Sequence, residues 1–483
     1  MEQDLIEASF FQSALTLDNQ FQSTEQFLDW FKGRKSANNY VVQQIPFGDM
    51  DKWDFSGNPH RLVHRSGKFF SIEGIRIKTN FGFVPEWDQP IIKQPEIGIL
   101  GFITKVFNGV RYFLVQAKME PGNINTIQIS PTVQATKSNF TQAHKGKIPL
   151  YLEYFIDRSK STILVDQLQS EQGSRFFHKQ NRNMVVDVSG EILPHEDFSW
   201  LTLGEIKQLL GKDNLVNMDA RAVISCIPFM GHEMKSHFTR DFHANNDEIL
   251  IFDSLIRGFQ KELFCSMQDS HAQNTLNEII SWVSEWKFKC ELWVERISLD
   301  DMLNWELTEN EIHHVAKRFL SVIAVCVEAG NREVVRWTQP ILKHTGYGLI
   351  GFLTQKKNGI LHFLVCARMS PGTVGAIEIG PTVACSGATN RAKTKDAPFF
   401  LDLFLSTPVE QIRYDTIQSE EGGRFYHFQN RYMIIELPPD SPLEFSDKFK
   451  WMTLGQILEL VKHGYFNIEA RNLLSCLHFA GNG

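Results

Sequence analysis

An α+β protein made of two copies of one unit is the fold this sequence predicts, and two observations carry that prediction. The first is an internal repeat. IGILGFITKVFNGVRYFLVQAKMEPGNINTIQISPTV (97–133) aligns without a gap on YGLIGFLTQKKNGILHFLVCARMSPGTVGAIEIGPTV (347–383), with roughly half the positions identical. The register, a shift of about 250 residues, extends well beyond that block. WDQPII (87–92) meets WTQPIL (337–342), SWLTLGEIKQLL (199–210) meets KWMTLGQILELV (450–461), and NMDARAVISCI (217–227) meets NIEARNLLSCL (467–477). The second observation is the order of patterns within each copy, where strand hairpins come first and helices close the unit, the α+β arrangement.

Taken in order, STEQFLDWFKGR (23–34) has helical spacing behind a Ser/Thr start. GILGFITKVFNGVRYFLVQAKM (98–119) reads as two strands joined at Asn108-Gly109, a strong hairpin signal. NTIQISPTV (125–133) alternates and stops at Pro131. STILVDQLQ (161–169) and RFFHKQNRNMVVDV (175–188) read as strands flanking SEQGS, a hairpin tip or bulge. TLGEIKQLLGK (202–212) is a helix with Thr202 and Glu205 at capping-box spacing, and NMDARAVISCI is a second helix. These patterns divide the chain into a first repeat (1–230), a bridging segment (231–272) expected to be partly helical, and a second repeat (273–483). Two equal copies pack most simply about a pseudo-two-fold axis.

Bulk properties exclude several function classes. The chain has 483 residues, 42% hydrophobic and 22% charged, with a net charge of −7. No basic patch calls for a nucleic acid. No apolar run approaches membrane-spanning length, and FLSVIAVCV (319–327) is only strand-sized. The seven cysteines have no C-x-x-C spacing and the N-terminus lacks a signal-peptide build, so a cytoplasmic location is expected. Neither G-x-G-x-x-G after a first strand nor a P-loop is present, nor H-E-x-x-H, nor a G-x-S-x-G elbow. IHHVAK (312–317) pairs two histidines without further ligands and reads as a solvated helix face. No cofactor and no metal are expected.

The densest polar stretch, LQSEQGSRFFHKQNRNM (168–184), recurs as IQSEEGGRFYHFQNRYM (417–433). Together with LVQAKMEPGNINTIQISPTVQATKSNFTQAHKGK (114–147) and WMTLGQ (451–456), these segments closely resemble the NDP-hexose 2,3-dehydratases over both repeats. The resemblance implies a duplicated Nudix-like fold, a homodimer, and action on dTDP-4-keto-6-deoxy-D-glucose. Such enzymes remove water across C2 and C3, and a C3-ketoreductase then reduces the 3,4-diketo-2,6-dideoxy product on the way to deoxysugars of natural products such as antibiotics. A Nudix-type hydrolase and a non-catalytic sugar-nucleotide binder are the rival readings. SEEGGRF (419–425) keeps two carboxylates, but the Arg-Glu turn of the hydrolase signature is missing, and SEQGSRF (170–176) loses one more carboxylate.

The chemistry asks for a base on the C3 proton, an acid for the 2-hydroxyl, donors for the enolate, cations for the diphosphate and an aromatic face for thymine. Trp53 and Trp305, each ending a D-M-x-x-W turn, either stack on the ligand or pack in the core. The loop Thr136, Lys137, Ser138, Asn139, Phe140 offers phosphate contacts or is a solvated turn; the family more often has Arg-Ser-Asn-Tyr there. Its second-half counterpart, PTVACSGATNRAK (381–393), has diverged, and Thr382, Val383 and Ala384 at its start join the candidate binding residues. Ser170, Arg175, Arg368, Gln418, Ser419, Glu421 and Arg424 complete the candidate binding set. Glu171, Glu420 and His144 remain open as catalytic acid or base, and a Glu171–Arg175 ion pair bracing the hairpin is the structural alternative. Residues found in one copy only, such as Glu120 opposite Ser370 and Gln134 opposite Ala384, mark where the two sites diverge.

Overall fold

The computed structural model describes residues 2–137, 148–229, 258–267, 271–317, 319–330, 335–344, 346–387 and 397–480. The architecture is mixed α+β with four sheets. Helices α1 (Glu2–Leu15) and α2 (Thr24–Ala37) lead, and Ser23 and Gln26 close a capping box on α2. Five short strands follow: β1 (Tyr40–Ile45), β2 (Trp53–Ser56), β3 (Arg61–His64), β4 (Ser71–Thr79) and β5 (Glu86–Lys93). The larger sheet holds β6 (Gly98–Phe107), β7 (Val110–Met119), β8 (Ile127–Ser130), β9 (Val133–Ala135), β10 (Thr162–Ser170), β11 (Gln180–Asp187) and β12 (Phe198–Thr202). Its spine is β10-β11-β6-β7-β12, with β11 and β6 parallel. The β6–β7 turn uses Asn108 (φ 49) and Gly109 (φ 83), the two left-handed residues of a type I′ turn. Short helices α3 (Glu153–Ile156), α4 (Leu203–Leu209) and α5 (Met218–Ile224) pack on this sheet, with Thr202 and Glu205 capping α4 as expected.

After α6 (Phe259–Cys265) and α7 (Leu276–Lys289) the order returns: β13 (Leu292–Ile297), β14 (Trp305–Leu307), β15 (Glu311–His314), β16 (Ser321–Ala329) and β17 (Arg336–Lys343). The second large sheet follows, with β18 (Gly348–Lys357), β19 (Ile360–Met369), β20 (Ile377–Gly380) and β21 (Val383–Cys385). After α8 (Leu401–Ser406) come β22 (Ile412–Ser419), β23 (Phe425–Tyr426), β24 (Gln429–Leu437) and β25 (Phe449–Met452), then α9 (Leu454–Lys462) and α10 (Ile468–Ser475). Residues 230–257, most of the predicted bridge, lie outside the described residues.

The two halves are interlaced. Strand β1 pairs along β16 of the second half, from Tyr40↔Ala329 to Ile45↔Ala324, and β13 pairs along β4 of the first, from Leu292↔Thr79 to Ile297↔Gly74. Neither small sheet is therefore made by one half alone. One apolar core runs through both halves, from Phe10 and Phe113 to Phe363 and Tyr432. Buried Lys207 donates to the Ser475 and Leu477 carbonyls across the same boundary. Among the described residues no helix is long and apolar enough to cross a membrane.

Three expectations are corrected. The strand predicted from Arg175 begins only at Gln180, because Phe176 leaves to bridge Ile92 of the small sheet and His178 is left-handed at φ 54. The IHHVAK histidines stand on strand β15, not on a helix, and His313 is buried between Glu306 and Glu311. The hairpin is braced by Arg182 with Asp166, at 2.6 and 2.7 Å, not by a Glu171–Arg175 pair. Arg175 points instead across the boundary to His344, and Glu171 turns inward to Asn181.

Candidate active site

Each polar turn crosses to the opposite half. The Gly372 amide donates to the Gly173 carbonyl at 2.7 Å and His178 N donates to the Gly372 carbonyl at 2.7 Å. The reciprocal bonds, Gly122 N to Gly422 O and His427 N to Gly122 O, are 2.7 and 2.8 Å. Glycine is required at these crossings. A Cβ on Gly122 would lie 1.6 Å from the Phe425 carbonyl, and one on Gly372 would lie 1.9 Å from that of Phe176. Ser170 donates to Glu378 at 2.5 Å, and Gln128 donates to Ser419 at 2.5 Å, fastening each hairpin tip to the other half. Each site is thus the sheet of one half closed by the turn of the other.

The site on the first-half sheet collects acids. Glu120 follows β7, Gln134 stands on β9, and Asp219 sits in the first turn of α5 behind the capping Asn217. The second-half turn adds Glu421 and Arg424. The Gln134 amide donates to Asp219 and, at 3.3 Å, to Glu120; Asn217 reaches Gln134 at 3.2 Å. Burial, then the charges of Glu421 and Glu120, push the Asp219 carboxyl well above its usual range. Burial lifts Glu421 to about 8, opposed by Arg424. Glu171 rises to about 7, from burial and then from Asp219. Buried acids that raise one another hold protons near neutrality, which supplies an acid and a base from the same residue type.

The site on the second-half sheet is built differently. A cavity of about 320 Å³ lies among Arg368, Ala384, Glu469, Gln172, Arg175 and Phe81. Ser370 replaces Glu120, Ala384 replaces Gln134, and Gln172 replaces Glu421. Its cations are prominent. The Arg368 guanidinium bonds the Pro381 and Thr382 carbonyls at 3.1 Å, Arg175 meets His344 at 3.0 Å, and Lys448 lies 4.0 Å over the Phe81 ring. Burial lowers Arg175 to about 10 and raises Glu469 to about 7.

Comparison with known proteins meets the chain in two segments. The profile of the NDP-hexose 2,3-dehydratases matches residues 24–227 and again 276–477. The chain is 44% identical over 471 residues to the dTDP-4-dehydro-6-deoxy-alpha-D-glucopyranose 2,3-dehydratase of Saccharopolyspora spinosa, covering 97% of this chain and 94% of that protein. A protein of the same name from Amycolatopsis orientalis is 39% identical over 475 residues, covering 97% and 93%. The chain belongs to the NDP-hexose 2,3-dehydratase family.

Within this dehydratase the predicted residues divide. Glu421 and Arg424 join the acid-rich site, while Arg175, Arg368 and Ala384 line the second cavity. Trp53 is buried with its indole N–H on the Thr338 carbonyl at 2.9 Å, and Trp305 donates to the Asp88 carbonyl at 2.7 Å; neither lines that cavity. Thr382 bonds within the sheet, Val383 is core, and Gln418 donates to the Leu210 carbonyl at 2.8 Å. Glu420 accepts from Asn430, Tyr432 and Gln172 and is fully partnered. Thr136 is half-buried and Lys137 exposed, whereas Ser138, Asn139, Phe140 and His144 lie outside the described residues. Sequence reasoning passed over Asp219, Lys179 and Glu378. Asp219 was hidden as an ordinary acidic residue in the first turn of a capped helix.

Proposed function

We propose that this chain is a dTDP-4-dehydro-6-deoxyglucose 2,3-dehydratase, a hydro-lyase whose chemistry occurs on the first-half sheet under the second-half turn. The observation that carries the assignment of the site is the trio Glu120, Asp219 and Glu421, which the other site replaces with Ser370, Glu469 and Gln172. The 4-keto group acidifies the C3 proton; an ionised carboxylate removes it, and a protonated one assists departure of the 2-hydroxyl. Arg424 and Lys118 supply positive charge to the developing enolate. The resulting 2,3-enol becomes the 3-ketone when C2 takes up a proton. Carbons 2 and 3 exchange oxidation state internally, so the sum is substrate to diketone plus water.

The finer picture belongs to the same proposal. The two halves are a tandem duplication of a Nudix-like unit, supported by matching strand orders β10-β11-β6-β7 and β22-β24-β18-β19. The enzyme works in the cytoplasm as a homodimer in deoxysugar formation for antibiotic-type products, with a C3-ketoreductase consuming its unstable diketone. The second cavity holds a nucleotide sugar through Arg175, Arg368 and Lys448 without turning it over. Incubating dTDP-4-dehydro-6-deoxyglucose with the enzyme and a trapping C3-ketoreductase, with and without chelator, tests this. Trapped 2,6-dideoxy product is expected in both arms; release of dTMP, or recovery of unchanged substrate, would overturn it.

A further inference from the structure

A separate cavity, of about 170 Å³, is lined by Glu171 and by Gly372, Val374, Glu378 and Gly464 of the second half. Its rim is exposed, with Val374 at 60%, and Glu171, only 4% exposed, lines its interior. One Glu171 oxygen accepts from Asn181 at 2.7 Å, while Oε2 has no partner among the described residues. A buried carboxylate oxygen without a donor is rare and asks for a functional reason.

The pseudo-symmetric position shows how this was made. Glu420 is enclosed by Asn430, Tyr432 and Gln172, at 2.5, 2.9 and 2.6 Å. In the first copy Asn183 stands for Tyr432, and Glu421 stands for Gln172, so two donors are gone and one has become an acid. Lys179 stands for buried Phe428, with its ammonium drawn off to the Glu96 carbonyl. Gly464 stands for Asn214, whose side chain reaches Gln429 at 3.3 Å. The Asn183 and Glu421 changes strip Glu171 of donors, Gly464 removes a side chain beside the cavity, and Lys179 adds a nearby cation.

The geometry points to Glu171 as a proton relay between solvent in this cavity and the buried acids Asp219 and Glu421, a role that rests on the dehydratase reading. The C3–H bond breaks to the base, its electrons form the C2=C3 bond, and the C2–O bond breaks as the hydroxyl leaves with a proton as water. The enol then loses its O3 proton while C2 gains one. The base therefore ends protonated and the acid deprotonated, and before the next turnover the pair is reset either by transfer between them or by exchange with solvent, the route that a relay serves. Glu171 is within electrostatic reach of Asp219, whose charge raises its proton affinity, and of Glu421, whose affinity it raises, while Lys179 and Arg471 lower its own. Glu378, Lys287 and His463 stand around the cavity.

Three variants test the relay. Glu171→Gln keeps the shape and should lower kcat by about 10–100-fold, leave KM within about twofold, and abolish the limb of the kcat–pH profile near 7. Glu171→Ala should be rescued by millimolar formate entering the cavity. Gly464→Asn copies the residue found at the left-handed position Asn214 (φ 55), so the backbone at φ 70 accepts it. It should narrow the cavity, slow turnover and block formate rescue in the double variant. An E171Q enzyme with unchanged kcat and pH profile, or an E171A enzyme deaf to formate, overturns the relay alone. A wild-type enzyme that forms no trapped diketone overturns the substrate reading and the relay with it.

Discussion

Asp219→Asn separates the two sites most sharply. Asp219 is 6% exposed and its carboxylate accepts from the Gln134 amide, so the isosteric Asn keeps an acceptor oxygen at the same place. Asn217, not Asp219, caps α5 through its bond to Ala220 N at 2.9 Å, and the helix survives the change. What disappears is a titrating carboxyl among Glu421 and Glu120. Removing a general acid or base costs about 10²–10⁴ in rate, or about 3–5 kcal/mol of transition-state stabilisation. The trapped-product assay should therefore show kcat reduced by about 10²–10⁴ while dTDP binding, followed by calorimetry, stays within about threefold. The matching change in the other site, Glu469→Gln, should leave kcat within about threefold. Equal losses from D219N and E469Q, or a D219N enzyme with native kcat, would refute the assignment of chemistry to the first-half sheet.

Three further outcomes are expected. Burial raises the capping Glu205 to about 7, above its unfolded value of 4.5, so the stability tied to its protonated form is present below about 4.5 and is lost as pH rises through 7. Glu205→Gln, which copies the Thr453–Gln456 capping box of the second half, should raise the melting temperature at pH 8, by about 1–3 kcal/mol of stability, and flatten its dependence on pH. Gly122→Ala should cost about 1–3 kcal/mol or more and abolish turnover, because its Cβ would meet the Phe425 carbonyl at 1.6 Å and displace the turn carrying Glu421. Its control in a denaturant titration is Gly190→Ala, which has nothing within 4 Å of the added Cβ and should be neutral. Trp53→Phe forfeits the bond to the Thr338 carbonyl and should lower stability by about 1–2 kcal/mol with KM unchanged; a large rise in KM would restore the stacking role.

Much of the fold was legible because it is written in local chemistry. The Asn108-Gly109 turn and the Thr202–Glu205 capping box are each decided within a few residues and stand where their patterns predict, and the Asn217 cap, seen only in the structure, is equally local. Where one residue served two masters, local pattern misled. Phe176 reads as a strand residue after the turn, yet its backbone bridges Ile92 in another sheet. Arg175 and Glu171 are close in sequence, but the turn sends one to His344 and the other to Asn181.

By itself, then, the sequence determined the repeat, the hairpins, the caps and the resemblance that names the family, since each depends on neighbours along the chain. Only the tertiary structure decided which half each piece serves. The exchange of β1 and β13, and the crossing of each polar turn to the opposite sheet, depend on contacts between residues roughly 200–300 positions apart, which periodicity cannot encode. The repeated turn therefore does not wall the pocket of its own copy. It brings Glu421 to Asp219 and leaves Glu171 facing a cavity, and burial among those partners is what sets their proton affinities.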